Sequence, residues 1–82
     1  MNKEVGETIR ALRKAMKISQ EKLADRIDSH QVYISEIEKG EKLPSLATLY
    51  KIAKSFGMTL TQLVAMIEAK IADTDGEQGR TN

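Results

Sequence analysis

Cysteine is absent from this 82-residue chain, which excludes disulfide bonds, a thiol nucleophile and a thiolate zinc site. The single histidine, His30, cannot supply the several ligands of a histidine metal site. The longest apolar run, residues 63–67, is far too short to cross a bilayer, and no basic start followed by an apolar stretch indicates a secretory signal. We therefore expect a cytoplasmic protein without a metal, cofactor or membrane partner.

Aromatic residues are also scarce, at 4% of the chain, and proline occurs once. A protein that binds single-stranded nucleic acid would need more aromatic rings on which bases stack. Residues 1–56 carry 11 Lys and Arg against 8 Asp and Glu, whereas residues 57–82 carry 2 against 4. This mild basic bias permits nucleic-acid binding, but the charges alone favour a solvated surface of mixed charge.

Apolar residues recur at helical spacing throughout residues 1–72, and no alternating run indicates a strand. Ser19 and Ser45 are predicted to cap the second and fourth helices, and Thr59 and Gln62 have the spacing of a capping box at the start of the fifth. Gly40 is expected to take the left-handed position that ends the third helix. The prediction is an all-α domain of five helices in residues 1–72 with a disordered polar tail at 73–82.

The most informative pattern is two short helices separated by a tight turn, from Ser19 to Gly40. Ala24 stands where the second helix faces the third, and a small residue there allows a close crossing. Ile34 and Ile37 are expected to anchor the third helix in the core, so that its other face carries side chains that donate and accept hydrogen bonds. A helix presented in this way fits the major groove of B-DNA.

The segments 19–24, 33–40 and 43–46 together resemble the Cro/repressor-type helix-turn-helix family, also called XRE-like. The resemblance covers about residues 5–64, and each segment alone is a weak signal. The family resemblance implies a lambda-repressor-like DNA-binding domain whose third helix reads DNA, generally as a homodimer on a palindromic site. The implied function is regulation of transcription by binding double-stranded DNA, as a repressor or a controller of a restriction-modification operon.

The resemblance also implies roles for individual residues. The side chains predicted to face base edges are Gln31, Val32, Ser35 and Glu36. Those predicted to contact phosphates are Gln20, His30, Tyr33, Lys39 and Lys42. Tyr33 has a second interpretation, packing at the domain surface, and Glu36 needs a cytosine amino group or a basic neighbour to offset repulsion from phosphate.

The same resemblance implies three structural features around the turn: an ion pair, a helix cap and a left-handed residue. Arg13 and Glu38 match a buried or half-buried salt bridge that joins the first helix to the end of the third, which makes Arg13 structural. His30 replaces the usual Ser or Thr cap of the third helix, so the cap is predicted to move to Ser29 or Asp28. Asp28 replaces the usual turn glycine and is expected to tolerate its left-handed geometry.

The fifth helix carries an apolar stripe that continues past the end of the resemblance. Either the domain's own core takes up this stripe, or the stripe marks an interface. We predict a homodimer interface and expect Ile67 and Ile71 to lack intrachain partners. The predicted interface residues are Leu60, Leu63, Val64, Ile67 and Ile71.

Two other classes of function compete with a DNA-binding regulator. An enzyme is not expected, because no metal cluster, glycine-rich phosphate loop or nucleophile–base arrangement is present. An antitoxin or another protein-interaction helix-turn-helix module remains the alternative, and an additional partner-binding segment would distinguish it. A small-molecule effector is not expected, because there is no second domain to hold its pocket.

Overall fold

The computed structural model describes the backbone of residues 1–80 and the side chains of residues 1–73. Within that part of the chain all regular structure is helical, which confirms the all-α prediction. The five helices are α1 (Asn2–Ala15), α2 (Gln20–Arg26), α3 (Gln31–Glu38), α4 (Leu46–Ser55) and α5 (Leu60–Arg80). No helix among the described residues is both long and apolar enough to cross a membrane.

Local capping chemistry fixes where three of the helices begin. The hydroxyl of Ser19 accepts a hydrogen bond from the backbone N–H of Lys22 at 3.0 Å, and Ser45 does the same at the start of α4. At α5 the Thr59 hydroxyl accepts from the Gln62 backbone N–H at 3.0 Å, and the Gln62 side chain accepts from the Thr59 N–H at 2.9 Å. The predicted capping box is therefore confirmed.

The core lies between the helices, with α3 packed against α1 and α2, and α4 packed against α2 and α5, while α1 also packs against α5. Six large side chains are fully buried there: Ile9, Leu23, Ile34, Ile37, Ile52 and Leu63. Gly6 allows α1 to approach the end of α3, because a Cβ at this position would overlap the Ile37 carbonyl oxygen. The close approach of α1 to α3 brings the middle of α1 beside the C-terminal end of α3.

Two boundaries differ from those expected. The apolar spacing predicts that the first helix ends near Lys17, whereas α1 ends at Ala15 and Lys17 is left-handed at φ 59°. The helix α5 continues through Arg80, beyond the boundary at residue 72 that was expected before the tail. No proline interrupts this segment, and extending an existing helix requires no new nucleation. The side chains from 74 onward and residues 81–82 lie outside the described residues.

Candidate nucleic-acid interface

The turn between α2 and α3 determines how α3 is presented. Asp28 is left-handed, with φ 60°, and the Ser29 N–H donates to the Ala24 carbonyl oxygen at 2.8 Å. His30 is the N-cap residue of α3, and no side chain makes a capping hydrogen bond there. The prediction that Ser29 or Asp28 provides the cap is therefore wrong, because the chain is still completing its turn at both residues.

One face of α3 is turned outward because the opposite face is buried. Ile34 and Ile37 have no exposed surface and anchor the helix in the core. The four side chains predicted to read bases lie on the rest of its surface, at positions i, i+1, i+4 and i+5. They are Gln31, Val32, Ser35 and Glu36. The first two are exposed and the last two are half-buried, so this face combines polar groups with one exposed apolar side chain.

A buried ion pair joins α1 to the C-terminal end of α3. Arg13 Nε donates to Glu38 Oε2 at 2.6 Å, and Arg13 Nη2 donates to Glu38 Oε1 at 3.0 Å. Both residues are less than a tenth exposed, and the hydrogen bonds to Glu38 raise the pKa of Arg13. Arg13 Nη1 also donates to the carbonyl oxygen of Ile18 at 2.9 Å. The expected salt bridge is present and fixes the turn before α2 as well.

Gln20 links this ion pair to the start of α3. Its Nε2 donates to Glu38 Oε1 at 3.0 Å, and its Oε1 accepts from Gln31 Nε2 at 2.6 Å. We call the four side chains Arg13, Gln20, Gln31 and Glu38 the polar junction. A continuous chain of hydrogen bonds thus runs from a buried cation to the first residue of α3.

Glu36 has the basic neighbour that its position requires. Lys42 Nζ lies 3.4 Å from Glu36 Oε1, across the loop that follows α3. The Glu36 carbonyl oxygen accepts backbone hydrogen bonds from Glu41 and Lys42, which hold that loop against the helix. Lys42 therefore offsets an acidic charge on the outward face of α3.

The residues predicted to contact phosphate border the same face. His30, Lys39 and Lys42 are exposed, whereas Gln20 and Tyr33 are half-buried. The Tyr33 ring packs against the core, which agrees with the second interpretation of this residue, packing at the domain surface. Phosphate contact by these five residues stays a prediction.

The predicted dimer stripe on α5 is partly used by the domain itself. Leu63 is fully buried, Ile67 is 6% exposed, and Ile71 packs against the core. The expectation that Ile67 and Ile71 lack intrachain partners is therefore wrong, because they pack inside this chain. Leu60 and Val64 are half-buried and remain available in part.

Part of the α5 stripe also lines an open apolar groove. A groove of about 200 Å³ opens between the start of α1, the loop after α3, and α5. We call it the apolar groove; its lining residues are Met1, Val5, Leu43, Pro44, Leu49, Val64, Ile67, Glu68 and Ile71. Leu43 on its rim is 50% exposed, and nearby in sequence Leu46 is 68% exposed. Neither leucine was predicted to be exposed, although the leucines on either side of Pro44 and Ser45 are visible in the sequence.

The geometry defines a class of protein. Two helices cross at a tight turn, and the second presents an outward polar face while its other face is anchored in a five-helix core. This is the arrangement of a helix-turn-helix DNA-binding domain.

Comparison with known proteins supports that class. The helix-turn-helix family matches residues 9–63. The control protein C.MunI of Mycoplasma sp is 41% identical over 64 residues, covering 77% of this chain and 86% of that protein. The restriction-modification controller protein C.AhdI of Aeromonas hydrophila has a solved structure that matches with a TM-score of 0.72 at 29% identity, covering 76% of this chain and 94% of that one.

A second solved structure, the clp gene regulator ClgR of Corynebacterium glutamicum, has a TM-score of 0.87. It covers 98% of this chain and 85% of its own, but at 19% identity it is similar in fold alone. This chain belongs to the XRE-type helix-turn-helix family. The members to which it is similar are transcription regulators and not enzymes, and the chain is accordingly a DNA-binding transcriptional regulator.

Proposed function

We propose that this protein binds an inverted-repeat operator in double-stranded DNA as a homodimer and reads its sequence with α3. The observation that carries the proposal is the outward face of α3, whose first residue is held by the polar junction. Rigid presentation matters because base contacts require hydrogen-bonding groups at defined positions.

The side chains on this face suit the major groove. Gln31 can pair with adenine through two hydrogen bonds, and Glu36 can accept from the amino group of cytosine. Val32 can meet the methyl group of thymine, and Ser35 can donate or accept. We assign base reading to these four residues.

Phosphate contacts are assigned to the border of the same face. Lys39 and Lys42 supply charge on either side of the loop after α3, and Gln20, His30 and Tyr33 flank its start. Such contacts set the position of the protein and the salt dependence of binding, but they carry no sequence information.

Dimerisation is assigned to the apolar groove together with the exposed parts of α5. Exposed apolar surface of this kind marks an interface. The groove and its rim contribute Leu43, Val64 and Ile71, and Leu60 lies one turn before Val64. A two-fold dimer would place two copies of α3 about 34 Å apart, in successive major grooves. The dimer would act in the cytoplasm without a small-molecule effector, as a repressor or as a controller of a restriction-modification operon.

The test is selection of bound sequences from a random duplex pool at two salt concentrations. We expect an inverted repeat whose half-site centres lie about 10 base pairs apart. Gln31→Ala should change the preferred base at one position of each half-site. Lys39→Ala is the matched control variant. It should weaken binding to all sequences by a similar factor. It should also reduce the slope of the logarithm of the binding constant against the logarithm of the salt concentration by about 1.

Selection without an enriched motif at either salt concentration would reject operator binding. Enrichment of a single half-site, with a monomer in sedimentation at tens of micromolar protein, would reject the homodimer. Failure of the first kind would direct attention to a protein partner, as in an antitoxin.

A further inference from the structure

We propose that Val32 and Glu36 read the same base, and that they select 5-methylcytosine over both cytosine and thymine. The proposal rests on base reading by these two residues, which belongs to the proposed function, and it names the base that they recognise together. Neither residue makes this choice alone, because each recognises one of two neighbouring groups on the edge of a pyrimidine.

One apolar and one acidic side chain are distinctive on the outward face of α3. Val32 is 64% exposed, in a helix whose two isoleucines, Ile34 and Ile37, are fully buried. Glu36 is half-buried, whereas the other acid of the helix, Glu38, is buried and hydrogen-bonded within the polar junction. Glu36 is therefore the carboxylate that α3 can offer to a base, and Val32 is the apolar contact.

Helix geometry places these two side chains side by side. Val32 and Glu36 are four residues apart in α3, so they lie on one face of the helix with their Cβ atoms about 5–6 Å apart. The Cα–Cβ bonds of a helix are tilted toward its N-terminus, so the longer Glu36 side chain can extend over the turn that carries Val32. A polar and an apolar side chain can thus contact adjoining groups of a single base.

The two side chains together define which pyrimidine fits. In the major groove cytosine presents its N4 amino group, which is a donor, whereas thymine presents the O4 acceptor and the C5 methyl group. A carboxylate only accepts hydrogen bonds, so Glu36 favours cytosine and opposes the O4 of thymine. Val32 favours a methyl group at C5, which cytosine lacks. Of these pyrimidines, only 5-methylcytosine carries both the amino group and the methyl group.

Glu36 can leave its partner in the free protein to make this contact. The Lys42 side chain is 57% exposed and that of Glu36 is 30% exposed, with 3.4 Å between Nζ and Oε1. An ion pair this exposed contributes little free energy, so its exchange for a base amino group costs little. The backbone N–H of Lys42 donates to the Glu36 carbonyl oxygen. This bond holds the lysine beside α3, where its charge offsets repulsion between Glu36 and phosphates.

The experiment compares dissociation constants for duplexes that differ at one position of each half-site. That position is the one whose preferred base changes when selection from a random duplex pool is repeated with Glu36→Gln. It carries cytosine, 5-methylcytosine or thymine, each paired with its complementary base. The wild type should bind 5-methylcytosine about fourfold tighter than cytosine for each half-site, because one more methyl group is buried. It should bind 5-methylcytosine at least about tenfold tighter than thymine, which places an acceptor against Glu36.

Substitutions at the two residues should change different preferences. Val32→Ser removes the apolar contact, so the preference for 5-methylcytosine over cytosine should fall to about one, while thymine stays disfavoured. Val32→Ile keeps an apolar side chain and should retain both preferences. Glu36→Gln has nearly the same shape but can also donate to O4. The preference over thymine should then fall by at least about fivefold, while the preference over cytosine persists.

Two controls isolate the base contact from other effects. Each preference compares duplexes for one protein, so a change in overall affinity cancels. Glu41→Gln, at an exposed residue of the loop after α3, removes the same charge as Glu36→Gln and should leave both preferences unchanged. A methyl group on a cytosine outside the half-sites should not change binding.

The proposal would be overturned by a wild type that binds 5-methylcytosine no tighter than cytosine. A folded Val32→Ser variant that keeps the full methyl preference would overturn it as well, and circular dichroism confirms the folding of each variant. An enriched inverted repeat without a methyl preference would reject this proposal and leave the proposed function standing. An enriched motif in which no position responds to Glu36→Gln would reject base reading by Glu36, and selection without any motif would reject both proposals.

Discussion

The polar junction and the apolar groove are built in opposite ways. At the junction, a buried ion pair and the amides of half-buried Gln20 and exposed Gln31 meet in five hydrogen bonds of 2.6 to 3.0 Å, counting that of Arg13 to Ile18. At the groove, nearly all lining side chains are apolar, and Glu68 is the one charged residue among them. The polar junction offers hydrogen bonds of defined direction, whereas the apolar groove offers apolar surface area.

This difference matches two separate demands on a DNA-binding regulator. Discriminating between bases requires donors and acceptors at fixed positions, which hydrogen bonds to buried groups supply. Association of two copies requires apolar surface, whose contribution scales with area and not with orientation. The following predictions test whether the two regions respond to substitution as differently as this comparison requires.

The largest expected effect is at the buried ion pair. Arg13→Met should lower the free energy of unfolding by about 3–5 kcal/mol, because Glu38 keeps a buried charge without a partner. Urea denaturation followed by circular dichroism measures this loss. Lys14→Met, at an exposed neighbour on α1, should change stability by less than about 0.5 kcal/mol. A loss below 1 kcal/mol for Arg13→Met would show that the junction contributes geometry without stability.

The close approach of α1 to α3 should be the next most sensitive feature. Gly6→Ala would place a Cβ against the Ile37 carbonyl oxygen and 2.8 Å from that of Glu38. We expect a loss of about 1–3 kcal/mol from the resulting shift of the two helices. Thermal unfolding is the readout, with exposed Lys3→Ala as the control. Equal stability of the wild type and Gly6→Ala would contradict the spacing described for α1 and α3.

Substitution in the apolar groove should affect association more than folding. Leu43→Ser removes a half-exposed apolar side chain, and we expect dimer formation to weaken by about 1 kcal/mol, or roughly fivefold. Sedimentation equilibrium measures the dissociation constant. Met16→Ser removes an exposed apolar side chain at the far end of α1 and should leave it unchanged. If Leu43→Ser forms dimers as tightly as the wild type and Met16→Ser do, the groove is not the dimer interface.

The smallest effect is expected at the turn that the junction holds. Lys17 has a left-handed backbone, with φ 59°, which is costly for a residue with a Cβ. Lys17→Gly should therefore raise the free energy of unfolding by up to about 1 kcal/mol. Chemical denaturation is again the measurement. Destabilisation by this variant would mean that the lysine side chain makes a contribution larger than the backbone strain.

Local patterns predicted the parts of the fold that local chemistry decides. Ser19, Ser45 and Thr59 cap their helices because a side-chain oxygen satisfies a free amide within three residues, and that spacing is visible in the sequence. The α3 cap was predicted wrongly because the turn geometry at Asp28 and Ser29 depends on how α2 and α3 pack together.

Long-range features needed more than periodicity. Arg13 and Glu38 are 25 residues apart, so no local pattern links them, and only the family resemblance suggested their pairing. The stripe on α5 was recognised, but a stripe does not reveal how many of its members the core uses. Ile67 is buried because its neighbours come from other helices, and no spacing within α5 could indicate that.

The ion pair between Glu36 and Lys42 has a consequence for how DNA binding should depend on salt. A lysine that moves from solvent to a phosphate releases one counterion from the DNA. Lys42 would instead leave Glu36, whose charge must then attract a cation from solution or find a donor on a base. Lys42 should therefore contribute less than one full unit to the slope of binding against salt concentration. Lys39 forms no ion pair within the part of the chain that the structure describes. It should contribute nearly one full unit.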